Sequence, residues 1–146
     1  MTLAVVDSSV AVKWYVREAG SESALRLLAP EAFELVAPDI FLSEVANVLL
    51  RQEREGQLSA EPLDAALADL RRTRPRLVPA SEVMDRAAIF ARALPHPIYD
   101  CLYLALADAT DALLVTADGE FVSRCRKRLK HEAATARLRL LEELEA

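Results

Sequence analysis

The chain has little sulfur and little imidazole: two cysteines, Cys101 and Cys125, and two histidines, His96 and His131. Both cysteines fall in stretches that read as helices, and neither belongs to a C-x-x-C pair. That argues against a zinc site or a disulfide framework and for a reducing, cytoplasmic setting. No run approaches the roughly 18 consecutive apolar residues of a membrane span. The opening Met1-Thr2-Leu3-Ala4-Val5-Val6-Asp7 has no basic region and meets an acid almost at once, unlike a signal peptide. Basic charge is not in excess either. The net charge of −5 argues against a broad basic surface for nucleic acid, but not against a nucleic-acid enzyme whose acids gather around metal ions. Internal repeats, low-complexity segments and linkers are also missing. What remains is a chain of 146 residues, 53% of them hydrophobic. It is expected to form a single domain, 1–146, with a core that needs no cross-links.

The apolar pattern alternates short strands with helices. Leu3 to Val6 reads as a buried strand ending at Asp7. Ser8 and Ser9 can cap a helix that continues through Trp14 towards Gly20. Ser21 opens a second helix, which ends at Pro30. A strand from Phe33 to Ala37 follows, then a helix from Leu42 to about Glu55, with Leu42, Val45, Ala46 and Leu49 at helical spacing and Gly56 as its stop. Ser59-Ala60-Glu61-Pro62 starts a helix to about Arg72. Leu77-Val78 is a short strand, Glu82 to Leu94 a helix, and Pro95-His96-Pro97 a break. Ile98 to Thr110 is helical, Ala112 to Thr116 a strand, and Glu120 to Lys130 a basic helix. The tail from Ala133 reads equally as helix or strand before a charged helical end. This order predicts an α/β fold: three layers, α/β/α, around a small, mostly parallel sheet.

Four acids stand out on that frame. Asp7 and Asp118 sit at or just past the carboxyl ends of strands, where ligands gather in parallel α/β sheets. Glu44 and Asp100 lie near helix starts that should reach the same edge, and both interrupt apolar segments. An ordinary explanation exists for each alone: a helix cap for Asp7, a helix-dipole acid for Glu44 and Asp100, a turn for Asp118-Gly119. Taken together, four carboxylates at one edge repel one another and resist burial, and a divalent cation answers both problems. Oxygen-only ligands favour Mg²⁺ or Mn²⁺ over zinc.

The residues around these acids resemble the PIN-domain family, in its VapC toxin type. The similar stretches are Val5-Val6-Asp7-Ser8-Ser9-Val10-Ala11-Val12-Lys13-Trp14, Ser43-Glu44-Val45-Ala46-Asn47-Val48-Leu49, Tyr99-Asp100-Cys101-Leu102-Tyr103-Leu104-Ala105-Leu106-Ala107 and Leu114-Val115-Thr116-Ala117-Asp118-Gly119-Glu120-Phe121. They occur in the family's order and span about Val5 to Phe121. The resemblance implies a Mg²⁺- or Mn²⁺-dependent endoribonuclease with a PIN-like α/β/α fold, leaving 5′-phosphate and 3′-hydroxyl ends. It implies Asp7, Glu44, Asp100 and Asp118 as catalytic acids, with Asp7, Asp100 and Asp118 the nearest to the metal. Ser9 and Thr116 match its supporting hydroxyls. Glu120 stands where relatives often carry a further Asp, and its longer side chain leaves its role open. The resemblance also implies a VapB-like antitoxin partner and a homodimer. In such a site a carboxylate-held cation would lower the pKa of its water near the scissile phosphate.

Other readings compete. His96, between prolines, and His131, after a basic helix, both read as surface residues, which disfavours a metal-free ribonuclease using paired histidines. Arg124, Arg126, Lys127, Arg128 and Lys130 could track an RNA backbone or form a solvated helix face. Arg71, Arg72, Arg74 and Arg76 form a second, more solvated cluster. Trp14 and Tyr15 read as core, with exposure to a partner groove as the alternative. A PIN nuclease of RNA processing without an antitoxin would carry the same residues. So would a binding module that has lost catalysis. A phospho-accepting receiver or phosphatase fits poorly, because Ser9 stands where the phosphatase needs a second Asp.

Overall fold

The computed structural model describes residues 2–72 and 75–145; Arg74 of the second arginine cluster lies outside them. Five strands form a sheet that is parallel throughout, in the order β3-β2-β1-β4-β5. The strands are β1 (Thr2–Val6), β2 (Phe33–Pro38), β3 (Arg76–Val78), β4 (Leu113–Thr116) and β5 (Leu138–Leu140). Their order reverses between β1 and β4, so the crevice at the carboxyl ends of those two strands is the topological switch point of the sheet.

The helices follow the apolar periodicity. They are α1 (Ser8–Ala11), α2 (Ser21–Arg26), α3 (Phe41–Arg54), α4 (Ala60–Arg72), α5 (Met84–Ala93), α6 (Ile98–Thr110), α7 (Gly119–Arg128) and α8 (Ala133–Ala136). On α3, Phe41, Val45 and Leu49 are fully buried, one stripe at helical spacing. The α6 helix is buried continuously from Cys101 to Ala107, because it packs against α5 and against the strands at the middle of the sheet. Asp100, in the first turn of α6 just before that buried run, keeps 39% of its side chain exposed.

Three expectations need correction. The N-cap of α1 is Asp7 itself, whose side chain accepts from Val10 N at 3.3 Å; Ser8 and Ser9 are already inside the helix. That helix stops far short of Gly20. A single 3₁₀ turn (Val12–Trp14) follows it, and the next residues fold back, held by Trp14 Nε1 donating to Ala24 O at 2.8 Å and Lys13 Nζ donating to Ala19 O at 2.8 Å. The helix expected over Glu82 to Leu94 starts two residues later, as α5 (Met84–Ala93), after a 3₁₀ turn (Ala80–Glu82). The undecided tail contains both of its alternatives: α8 and then β5, with a 3₁₀ segment after it. No helix among the described residues is long and apolar enough to cross a membrane.

Candidate active site

Asp7 is the centre of the site. It follows β1 directly, is 8% exposed, and both of its oxygens are engaged. Ser9 Oγ donates to Oδ1 at 2.6 Å, and Thr116 Oγ1 donates to Oδ2. A hydroxyl has one proton to give, and backbone amides decide where these two protons go. Ala117 N donates to Ser9 Oγ at 3.0 Å, and Asp118 N donates to Thr116 Oγ1 at 3.1 Å. Each hydroxyl therefore receives from the β4–α7 turn and gives to Asp7. The interlock joins two stretches more than a hundred residues apart in sequence at the switch point of the sheet. Burial outweighs these hydrogen bonds, and with the nearby Asp100 charge it raises the Asp7 carboxyl from 3.8 to about 6.

Glu44 projects from the first turn of α3 and is half-buried. Tyr103 Oη donates to Glu44 Oε1 at 2.6 Å, and the Ser8 side chain also hydrogen-bonds it. Burial raises its pKa, the two hydroxyls oppose that, and the Asp100 charge adds to it. Tyr103, in turn, has its phenol pushed far above the ordinary range by burial and by Glu44, so it is a permanent hydrogen-bond donor. Asp100 thus lies within electrostatic reach of both Asp7 and Glu44. Asp118 caps α7, accepting from Phe121 N at 3.0 Å, and is coupled to Asp7 through Thr116. For Asp7 the ordinary explanation, a helix cap, is true as well; Asp118, read as a turn residue, is also a helix cap.

The remaining candidates divide. Glu120 points outward, with 84% of its side chain exposed, and faces Arg124 at 3.7 Å. Arg124, Lys127 and Arg128 line one shallow depression with Glu120 and Ser123. Arg126 does not join them, because both of its terminal nitrogens are held by the Glu143 carboxylate, at 2.9 and 3.2 Å. Two residues outside the expected site are central: Tyr103, which the sequence reading did not single out, and His96, which it placed at the surface. Tyr103 was signalled by a phenol in an otherwise apolar helix, since a buried hydroxyl needs a partner. His96 is not a surface residue. Its side chain is 13% exposed, its Nε2 lies 2.7 Å from Asp100 Oδ2, and Arg124 Nη1 lies 2.9 Å from its Nδ1. The four-residue spacing from His96 to Asp100 was the available signal, hidden by the intervening Pro97. His131 is exposed. Burial pushes the Cys101 and Cys125 thiols up to about 12, which makes them inert packing groups.

The PIN domain family profile matches residues 4–127. The ribonuclease VapC3 of Pyrobaculum aerophilum is 34% identical over 122 residues, covering 82% of this chain and 92% of that protein. The chain belongs to the PIN domain family, in its VapC type. Among solved structures, the PIN domain described here is similar to VapC20 of Mycobacterium tuberculosis, a sarcin-ricin loop cleaving toxin (TM-score 0.64, 18% identity, 82% of this chain and 93% of that one). It is also similar to a chain of a toxin-antitoxin complex from Klebsiella pneumoniae (TM-score 0.59, 14% identity, 94% and 97%). At those identities the structures establish the shared fold.

Whether this PIN domain suits a cation follows from its donors. Among the described residues, no three His, Cys, Asp or Glu side chains form a ready cage for a metal ion. The donors around Asp7 are carboxylate and hydroxyl oxygens, which would fit Mg²⁺, a cation that takes one or two carboxylates and keeps several waters. Burial first, and the Asp100 charge after it, raise the Asp7 and Glu44 carboxyls, and a divalent charge there would oppose both effects.

Proposed function

We propose that this PIN domain is a Mg²⁺- or Mn²⁺-dependent endoribonuclease, acting as the toxin of a toxin–antitoxin pair. The observation that carries the reading is the buried Asp7 carboxylate, pinned by two amide-oriented hydroxyls beside Asp100 at the switch point of the sheet. The names of similar proteins support the same reading: a ribonuclease, a sarcin-ricin loop cleaving toxin and a toxin–antitoxin complex. A VapB-like antitoxin, a second copy of the chain and a cytoplasmic setting belong to the same proposal.

Asp7 and Asp100 would hold the cation, with Asp118 beside them. When bound, the cation supplies positive charge for the phosphate oxygens and a water of lowered pKa. The chain's own residues do the rest. Ser9 and Thr116 keep the Asp7 carboxylate in one rotamer, so no reorganisation is needed when substrate arrives. Glu44, fixed by Tyr103 and Ser8 and within electrostatic reach of Asp100, would accept a water proton. Lys127 and Arg128 lie along α7, where they can follow the RNA backbone as it leaves the site.

The test is cleavage of a mixed RNA pool by the purified chain with Mg²⁺ or Mn²⁺, then with EDTA, beside Asp7→Asn. Cleavage should stop in EDTA, return with excess metal, and fall by about a hundredfold or more in Asp7→Asn, since even outer partners of a metal site cost about 10–100-fold. Cleavage that survives EDTA would overturn the reading.

A further inference from the structure

His96 is clamped from both sides. Its backbone N donates to Ala91 O at 3.1 Å, and its ring packs on the buried Phe121 with centroids 5.0 Å apart. Arg124 Nη1 meets Nδ1 at 2.9 Å, and Asp100 Oδ2 meets Nε2 at 2.7 Å. A guanidinium can only donate. Nδ1 must therefore offer its lone pair to Arg124, which leaves the ring proton on Nε2, aimed at Asp100. The order of donors runs one way: Arg124 to His96 to Asp100. His96 thus holds Asp100 by its Oδ2.

We propose that His96 is a positioning residue for Asp100, set by Arg124, which fixes the carboxylate oxygen presented to the cation and couples the acidic edge to the basic face of α7. The inference rests on the cation reading above. An imidazole that reaches a ligand carboxylate through its N–H is the kind of outer partner that orients a metal ligand. The helix start that carries Asp100 does not by itself hold the carboxylate in place, since its side chain is 39% exposed.

The decisive measurement is calorimetric titration of Mn²⁺ into the RNA-free chain, for wild type, His96→Ala, His96→Gln and His96→Asn, with melting temperatures in EDTA for each. His96→Ala is expected to weaken Mn²⁺ uptake by about 10–100-fold. In RNA cleavage the Mn²⁺ needed for half-maximal rate should rise in parallel, while KM for RNA at saturating Mn²⁺ stays within about twofold. His96→Gln carries a donor at the reach of Nε2 and should recover part of the affinity. His96→Asn, too short to reach Asp100, should not. If alanine costs the fold, the Gln and Asn pair of equal melting temperature carries the test, and equal Mn²⁺ affinity in those two overturns the proposal. Wild-type uptake with unchanged uptake in a folded His96→Ala overturns the clamp alone. No Mn²⁺ uptake by the wild type overturns the cation reading and the clamp with it.

Discussion

At the scale of single residues the cost of the site is concentrated on Asp7. A carboxylate buried at the end of β1 keeps its proton up to about pH 6, whereas the unfolded chain releases it near 3.8. Between those values the native state binds more protons than the unfolded one, so this group's contribution to stability falls as pH rises. Fully developed, above about pH 6, the loss is about 3 kcal/mol, reduced by whatever cation is present. Asp7→Asn removes the charge and keeps an acceptor for one of the two hydroxyls. In EDTA, the urea-unfolding free energy of Asp7→Asn minus that of wild type should therefore grow between about pH 4 and 6 and level off above. A difference that does not change with pH would mean that Asp7 titrates as an ordinary exposed acid. The same substitution should abolish cleavage, so the stabler chain is the inactive one, as expected where a functional site holds uncompensated charge. The sequence showed the four acids and the two hydroxyls, but not their couplings. Tyr103 with Glu44 and His96 with Asp100 come from side-chain reach across elements, which period and spacing do not encode.

At the scale of elements, legibility followed length. The α6 helix begins and ends where its sequence says, because Pro97 opens it and Asp111, in a left-handed conformation at φ 54°, closes it. The stop of α3 is equally plain, with Gly56 at φ 79° just beyond it. The short α1 was not legible: its apolar Val10, Ala11 and Val12 run into Trp14 and Tyr15 without a stop signal. Its end is instead imposed by hydrogen bonds from the folded-back loop. The α7 helix shows how a charge run can mislead. Five basic residues in a row of seven look like one patch, but a helix turns them to different sides. Arg126 is committed to Glu143, while Lys127 and Arg128 face the depression beside Arg124. Binding of a single-stranded RNA to the inactive Asp7→Asn chain should separate them. Lys127→Ala and Arg128→Ala should each flatten the dependence of log K on log salt by about 0.7. Arg126→Ala should leave that slope unchanged and lower the melting temperature instead. An equal effect of all three would return the basic run to the status of a diffuse charged face.

At the scale of the molecule, the parallel sheet places its ligand edge at the β1–β4 switch point, and the flanking strands decide how firmly that edge is held. On one side β2 and β3 extend the sheet. On the other side β4, which delivers Thr116 and leads into Asp118, pairs with the three-residue β5. Three residues, Leu138-Arg139-Leu140, are too few for propensity to distinguish strand from helix. The strand exists because Leu138 buries completely and pairs with Leu114, a tertiary cause that a local reading cannot supply. Arg137, just before it, donates from Nε to Ala112 O at 3.2 Å and so ties the entry of β5 to the entry of β4. If this stave holds the edge of the sheet without shaping the site, Leu138→Ala should cost about 2–5 kcal/mol. It should lower the urea midpoint without changing the slope of the transition. The cleavage rate per folded molecule should stay near wild type well below the midpoint, because the Asp7 interlock is built from β1 and the β4–α7 turn rather than from β5. A loss under about 1 kcal/mol would show that β5 is a loose edge. A large fall in cleavage by fully folded Leu138→Ala would show instead that the position of Thr116 depends on its outer neighbour, and that the catalytic edge reaches one strand further than its hydrogen bonds.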